Sequence, residues 1–211
     1  MRKLFIIGAS NLGREFESWL DLIPPEKRDW KLEGYLHTDS ELSPLEGFPT
    51  DYKIIGNWEN YKFSQNDYGI IAVANVDWRK SIYQFLKGRL TFFTYIAPNS
   101  TIAKFVEIGE GSFICPFCIL ATNVRIGANV FVNCGTQIGH DTRVDEHSSI
   151  MADVVIGGNC KIGTKVFIGS NSTIIPKMIL ENESSIGAGS VVIRRVKSKT
   201  SVFGNPAMIL K

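Results

Sequence analysis

The sequence is short of the residues on which most metal and redox chemistry depends. It has three histidines, His37, His140 and His147, and four cysteines, Cys115, Cys118, Cys134 and Cys160. Cys115 and Cys118 have the C-x-x-C spacing of a redox pair or of half a zinc site, so their place in any longer pattern has to decide between chemistry and packing. Charge of one sign is also lacking. A net charge of +2 leaves no basic excess of the kind a nucleic-acid binder needs to displace counterions. No apolar run approaches the ~20 residues that span a bilayer. The opening stretch, Met1 to Gly8, has only four apolar residues before the glycine, and Glu15 and Glu17 follow. It therefore reads as a buried strand rather than a signal peptide, and a cytoplasmic protein is expected.

What the sequence does have is a period of six. Every sixth position from Ile96 to Val192 is Ile, Leu or Val. Four residues after each lead comes a second restricted column, from Ser100 through Ser112, Cys118, Val124, Thr136, Ser148 and Cys160 to Ser190, all small or slender. A helix of 3.6 residues per turn cannot hold a six-residue column on one face, whereas short extended segments broken by turns can. The chain is expected to coil into a prism of short parallel strands with the lead aliphatics inside. Three residues after the leads stand Asn99, Gly111, Asn123, Asn129, Gly135, Asn159, Asn171 and Gly189, residue types that tolerate positive φ. Cys118 and Cys160 fall in the small inward column, which favours a packing role for them.

Residues 1–95 follow a different rule. Apolar strands are expected at Leu4–Ile7, Leu32–Leu36, Lys53–Ile55, Ile70–Ala74 and Phe92–Ile96. Helices are expected from the Gly8–Gly13 turn to about Leu22, and over Asp77–Leu86. Alternation of this kind predicts a small parallel sheet of Rossmann type. Gly8, Ser10 and Gly13 occupy the glycine places of G-x-G-x-x-G with serine at the second, and no acidic residue follows at the spacing of a dinucleotide site. The turn still presents free N–H groups at a helix start, which suits one diphosphate; a turn that only packs is the alternative.

The two halves together resemble the bacterial sugar acyltransferases of the sialic-acid O-acetyltransferase type, which include N-acetyltransferases acting on nucleotide-linked 4-amino-4,6-dideoxy sugars. The residues that carry the resemblance are Gly8-Ala9-Ser10, Ala72-Val73-Ala74-Asn75 with Arg79 behind it, His140-Asp141 inside an unbroken repeat, and Gly204-Asn205-Pro206-Ala207. The resemblance implies a Rossmann-like nucleotide-sugar-binding domain over residues 1–95 and a left-handed parallel β-helix over residues 96–211. Three hexapeptides would make one coil, so that residues 18 apart stack. It also implies acetyl-CoA as co-substrate, held between neighbouring prisms of a homotrimer, and a role in surface-glycan biosynthesis.

The family's catalytic histidine aligns with His140, and the acidic residue after it with Asp141. A base that takes a proton from the attacking amine or hydroxyl is worth typically ~10²–10⁴-fold, and a carboxylate beside an imidazole fixes its tautomer. Asn133 matches an active-site asparagine of the family. Gly158, Ser170 and Ala188 align with positions lining the acetyl-CoA groove, and Ser149 stands where relatives with the aminosugar activity often carry a second histidine. For the nucleotide sugar the alignment offers Gly8, Ala9, Ser10, His37, Thr38, Asn75 and Arg79. His37-Thr38 replaces two acidic residues of many relatives, and Asn11-Leu12-Gly13 lacks their histidine. His147 stands at a turn position, where a solvated residue is expected. The basic tail of Arg194, Arg195, Lys197, Lys199 and Lys211 suits the CoA phosphates or plain solvation equally. Phe113, Phe131 and Phe167 are expected to face outward and invite association.

Three function classes stand beside one another at this point: N-acetyl transfer to an aminosugar, O-acetyl transfer to a sialic-acid-like sugar, and a trimeric scaffold without chemistry. A zinc-dependent prism would need more histidines than the chain supplies.

Overall fold

The computed structural model describes residues 1–38 and 44–210. The chain forms two compact units, Met1–Phe93 and Thr94–Lys211. Lys211, the last residue of the basic tail, lies outside the described residues.

The first unit runs β1 (Arg2–Ile7), α1 (Asn11–Leu20), β2 (Trp30–Leu36), β3 (Ile54–Gly56), β4 (Tyr68–Ile71), α2 (Val76–Leu86) and β5 (Thr91–Phe92). The sheet order is β3-β2-β1-β4-β5, and every pairing is parallel. Central β1 buries Leu4, Phe5, Ile6 and Ile7 completely, which is why its sequence is a continuous apolar run rather than an alternating one.

Two expected strands are corrected. The strand expected to reach Ala74 ends at Ile71, because β1 turns away at Gly8 (φ 109°) and offers no further partner. The strand expected over Phe92–Ile96 is two. Phe93 N–H still donates to Gly69 of the first sheet, but Tyr95 N–H donates to Ser112 of the repeat unit. The helix expected to reach Leu22 ends at Leu20, and Leu22 and Ile23 close it as a turn on the Trp19 and Leu20 carbonyls.

The second unit is a three-sided coil. Residues 18 apart pair in parallel register, as in Phe113↔Phe131, Ile119↔Gln137 and Arg125↔Arg143, and the two-residue strands stack into three sheets. The leads from Ile114 to Val192 are at most 4% exposed, each contributing roughly 1.5–3 kcal/mol of burial. Ile96, the first lead, is 39% exposed. Its strand ends its sheet and has only the Phe113–Ile114 strand beside it, so the column loses its lining at that end.

The small column does more than fill space. Ser112, Thr136, Thr142, Ser148 and Ser172 donate to the carbonyls of Gly127, Met151, Gly157, Gly163 and Gly187 at 2.7–3.1 Å. The Ser112, Thr142 and Ser148 hydroxyls also accept from the amides of Val130, Cys160 and Val166, 18 residues on. A buried hydroxyl needs such partners. Among the described residues Ser184 Oγ is buried with none, where the register shortens: Ser185 pairs with Ser201, 16 residues on.

Left-handed backbone occurs at every third position after a lead from Phe105 to Gly189. Asn99, expected in this set, is not in it; its corner is instead a turn closed by Ser100 N–H on Ala97. The thiols of Cys118 and Cys160 lie inside the coil, and burial pushes Cys118 up to about 12, which disfavours the reactive thiolate.

The three faces differ in chemistry. The outward column of the first begins Tyr95, Phe113, Phe131, Ser149 and is here termed the aromatic face. The second, Thr101, Ile119, Gln137, Val155, Thr173, Val191, has no charge and is termed neutral. The third, Glu107, Arg125, Arg143, Lys161, Ile179, is termed charged. Phe113 and Phe131, expected to be open for association, are buried, and Phe113 stacks on Tyr95 with centroids 4.3 Å apart. The exposed apolar side chains Ile119 and Val155 belong to the neutral face instead.

Candidate functional site

His140 and Asp141 occupy the corner between the neutral and charged faces, after the Gln137–Ile138 strand and before Arg143–Val144. Asp141 takes φ 59°, a conformation that short polar side chains tolerate. The corner is fixed by neighbouring coils: Asp141 N–H donates to Thr122, and His140 accepts from Asn159 N–H at 2.8 Å.

The imidazole stands out from this rigid base, with its side chain 58% exposed. Its Nδ1 lies 2.7 Å from Asp141 Oδ2. An ionised carboxylate only accepts, so Nδ1 carries the proton and Nε2 presents a lone pair. The carboxylate's other oxygen accepts from Asn123 Nδ2 at 3.0 Å. The bond from His140, and then that from Asn123, hold the Asp141 carboxyl below its ordinary range, so the acceptor stays charged. Gly158 lies one coil on. A Cβ there would come within 2.7 Å of His140 Nε2, so glycine is what lets the imidazole take this position. An imidazole oriented by a carboxylate in this way can serve as a general base.

Asn133 stands elsewhere. It follows the Phe131–Val132 strand at the corner between the aromatic and neutral faces, and its Oδ1 accepts from Cys134 N–H. Ser170 and Ala188 lie on that same corner, whereas Gly158 shares the corner of His140. Within one chain these expected cofactor and catalytic residues therefore sit on two corners that flank the neutral face. Ser149, where a cofactor contact is expected, is wholly buried on the aromatic face. His147, expected in solvent, is buried with Nδ1 at 2.9 Å from Asn129 Nδ2, although its φ of 63° is the positive one expected. Grooves of about 430 and 420 Å³ lie on the charged face, lined by residues such as Arg143, Asp145 and Lys161 in one and Arg125, Arg143 and Asp145 in the other. His140 lines neither.

The first unit gathers its expected residues at the carboxyl edge of the sheet. Gly8 follows β1, His37 follows β2 and Ala72 follows β4, on either side of the point where the strand order reverses, which is where open α/β sheets bind ligands. Gly8 is required there: a Cβ would meet the Ala72 carbonyl at 2.8 Å. Ala9 N–H points at His37 Nδ1 at 3.5 Å, and Ser10 caps α1 without using its side chain in the cap. Thr38 is exposed, and its carbonyl accepts from Asn57 Nδ2. Asn75 caps α2 by accepting from Trp78 N–H at 3.0 Å. Arg79 is buried; burial lowers it to about 10, and its guanidinium donates to the Val73 and Ala74 carbonyls at 3.4 Å. These bonds tie it to the loop after β4.

The sequence profile of the bacterial transferase hexapeptide (six repeats) matches residues 141–176. Among solved structures, perosamine N-acetyltransferase from Caulobacter crescentus is similar over 100% of this chain and 98% of its own, at 17% identity and a TM-score of 0.88. That structure is a histidine-to-asparagine mutant in complex with CoA and GDP-perosamine. The chain has the fold of the hexapeptide-repeat acetyltransferases. The acetyltransferase domain of PglB from Neisseria gonorrhoeae, in complex with acetyl coenzyme A, is similar over 99% of both chains at 23% identity and a TM-score of 0.85. WeeI from Acinetobacter baumannii is similar over 100% of both at 24% identity and 0.72. A search of the curated proteins found no match. In the hexapeptide-repeat fold the three-sided coil is a left-handed parallel β-helix preceded by a small α/β unit. Among the described residues no helix is long and apolar enough to cross a membrane.

Asn123 is the residue of this corner that sequence reasoning assigned only to a turn. The signal was available: it stands 18 residues before Asp141, one coil away in a three-sided prism.

Proposed function

We propose that the protein is a cytoplasmic acetyl-CoA-dependent N-acetyltransferase acting on the 4-amino group of a nucleotide-linked 4-amino-4,6-dideoxy sugar, in surface-glycan biosynthesis. The observation that carries this reading is the exposed His140–Asp141 pair at 2.7 Å, with Nε2 against the bare backbone of Gly158, on a fold shared with acetyltransferases whose structures hold CoA and GDP-perosamine. In the reaction the neutral amine attacks the thioester carbonyl and forms the C–N bond. His140 Nε2 takes the proton the nitrogen sheds, the C–S bond breaks, and the proton passes to the departing CoA sulfur. Asp141 keeps Nδ1 protonated and balances the transient imidazolium charge. In the first unit, the Gly8–Ser10 turn with the start of α1 and His37 would meet the diphosphate and nucleoside, while Asn75 and Arg79 fix the loop after β4.

A homotrimer completes the site. Three prisms with their neutral faces toward a common axis bring each chain's His140 corner beside the next chain's Asn133 corner, as a cyclic head-to-tail interface requires. Gly158 of one copy and Ser170 and Ala188 of the next then border one groove. Their small side chains suit a pantetheine and thioester approached through backbone groups. Asn133 would donate to the thioester oxygen from the neighbouring copy. The uncharged column of the neutral face, with Ile119 and Val155 exposed, supports that packing.

The test is CoA thiol release on a panel of UDP-, GDP- and dTDP-linked aminosugars, with the product examined by mass spectrometry. An acetyl group that survives mild base is an amide and supports the proposal. A base-labile product would mean O-acetylation. No thiol release with any sugar, while acetyl-CoA binds, would refute it.

A further inference from the structure

We infer that Asn123 is a positioning residue for the reaction, holding the Asp141 carboxylate in place so that His140 keeps both its orientation and its basic nitrogen. The inference rests on the proposed role of His140 as general base. Its grounds are geometric. Asp141 uses both oxygens, one on His140 Nδ1 at 2.7 Å and the other on Asn123 Nδ2 at 3.0 Å. A carboxylate held at one oxygen on an open surface turns freely about its last bond, and such a contact is weakly maintained. Held at both, it cannot turn without breaking the pair. The second anchor comes from a different coil. Asn123 N–H donates to Lys104, Asp141 N–H to Thr122, and Asn159 N–H to His140. The three-member chain of amide, carboxylate and imidazole is thus fastened to the backbone ladder at each link.

Backbone conformation alone does not explain the residue. Asn123 has φ 60°, and so does Asn159 on the same corner; glycine meets that demand equally well. What glycine lacks is the amide that reaches Asp141. That amide also matters chemically. A donor to the carboxylate favours its charged form, in line with the lowered Asp141 carboxyl. A charged Asp141 is what keeps the His140 proton on Nδ1 and leaves Nε2 to act. Other charged residues on this corner belong to more distant coils. Lys104 lies two coils before His140 and Lys177 two coils beyond Asp141. That is about 10 Å along the backbone at the usual ~4.8 Å strand spacing. Arg143, on the next strand, pairs with Asp145. Asp141 is the charged group bonded to the imidazole, with Asn123 behind it.

The experiment compares the full-length protein with Asn123→Gly and Asn123→Asp. Three things are measured: the thermal midpoint, kcat and KM across pH, and the His140 imidazole signals by NMR titration. Asn123→Gly satisfies the backbone and removes the amide. We expect an unchanged thermal midpoint, an unchanged KM for acetyl-CoA and a fall in kcat of at least about tenfold, as sub-ångström misplacement of a base produces. Asn123→Asp sets a second carboxylate against Asp141. The acid limb of the rate profile and the imidazole titration should both move to higher pH. A residue that only shaped the turn would leave both curves where they are. Wild-type kcat in Asn123→Gly together with an unmoved imidazole titration in Asn123→Asp overturns the inference. If the imidazole titration shifts while no form of the protein transfers acetyl groups, the positioning contact stands and the proposed role of His140 falls.

Discussion

Gly158→Ala is the sharpest perturbation the corner allows. The added methyl would lie 2.7 Å from His140 Nε2, 2.8 Å from Cε1 and 3.0 Å from Cδ2, against an ordinary carbon contact of about 3.5–4.0 Å. The ring must therefore retreat by roughly 1 Å, and a displacement of that size costs about 10²-fold in rate, or ~2.7 kcal/mol of transition-state stabilisation. Stability should hardly change. The imidazole is largely exposed and free to turn aside, and Gly158 is not among the left-handed glycines, so alanine suits its backbone. The assay is steady-state thiol release with acetyl-CoA and the accepted aminosugar, beside a thermal melt. The prediction is kcat down about a hundredfold with an unmoved melting midpoint. Wild-type kcat with a raised KM for acetyl-CoA would refute the reasoning, since Gly158 would then serve the cofactor alone and the imidazole would act from another position.

Other consequences are equally concrete. Ile150→Ala opens a cavity beneath a fully buried lead and should destabilise by about 2–5 kcal/mol in chemical denaturation, whereas Ile96→Ala, at the exposed first lead, should lose far less. Ser148→Ala removes a hydroxyl that donates to Gly163 and accepts from Val166, and leaving those groups unpaired should lower stability by about 1–3 kcal/mol by the same measurement. Lys199→Asn relieves a lysine held at φ 56° and should raise the melting midpoint, the strain being worth ~1–2 kcal/mol. Because its partners hold the Asp141 carboxyl below the usual range, the stabilisation from that charge is present above the unfolded value and is lost as pH falls through the folded one. Asp141→Asn should accordingly flatten the fall of melting midpoint below about pH 4, and an unchanged acid slope would count against it.

The prism was legible because its signal is covalent in spacing: a lead every sixth residue can be satisfied by one kind of coil, and each lead from Ile114 onward is inside. The His140–Asp141 pair was legible because the resemblance places it by residue and the corner does not allow many geometries. What sequence hid is whatever depends on a neighbour 15 or 18 residues away. The inward Ser and Thr look merely small, yet they bond the next coil's carbonyls. His147 looks like a solvated turn residue, yet it is buried beside Asn129, one coil before it. Phe113 and Phe131 look like an open apolar surface, yet Tyr95, Phe113 and Phe131 are all buried. In the first unit Arg79 looks like an open ligand residue, and its burial and its bonds to the Val73 and Ala74 carbonyls are not visible in the sequence.

The central claim is that one exposed imidazole does the proton transfer, and His140→Ala tests it most directly. Acetyl-CoA affinity, the thermal midpoint and the rate of thiol release with the accepted aminosugar are measured on the same preparations. The account predicts unchanged affinity and stability with turnover reduced by about 10²–10⁴-fold. Turnover within a few-fold of wild type, on protein that binds acetyl-CoA normally, would contradict it.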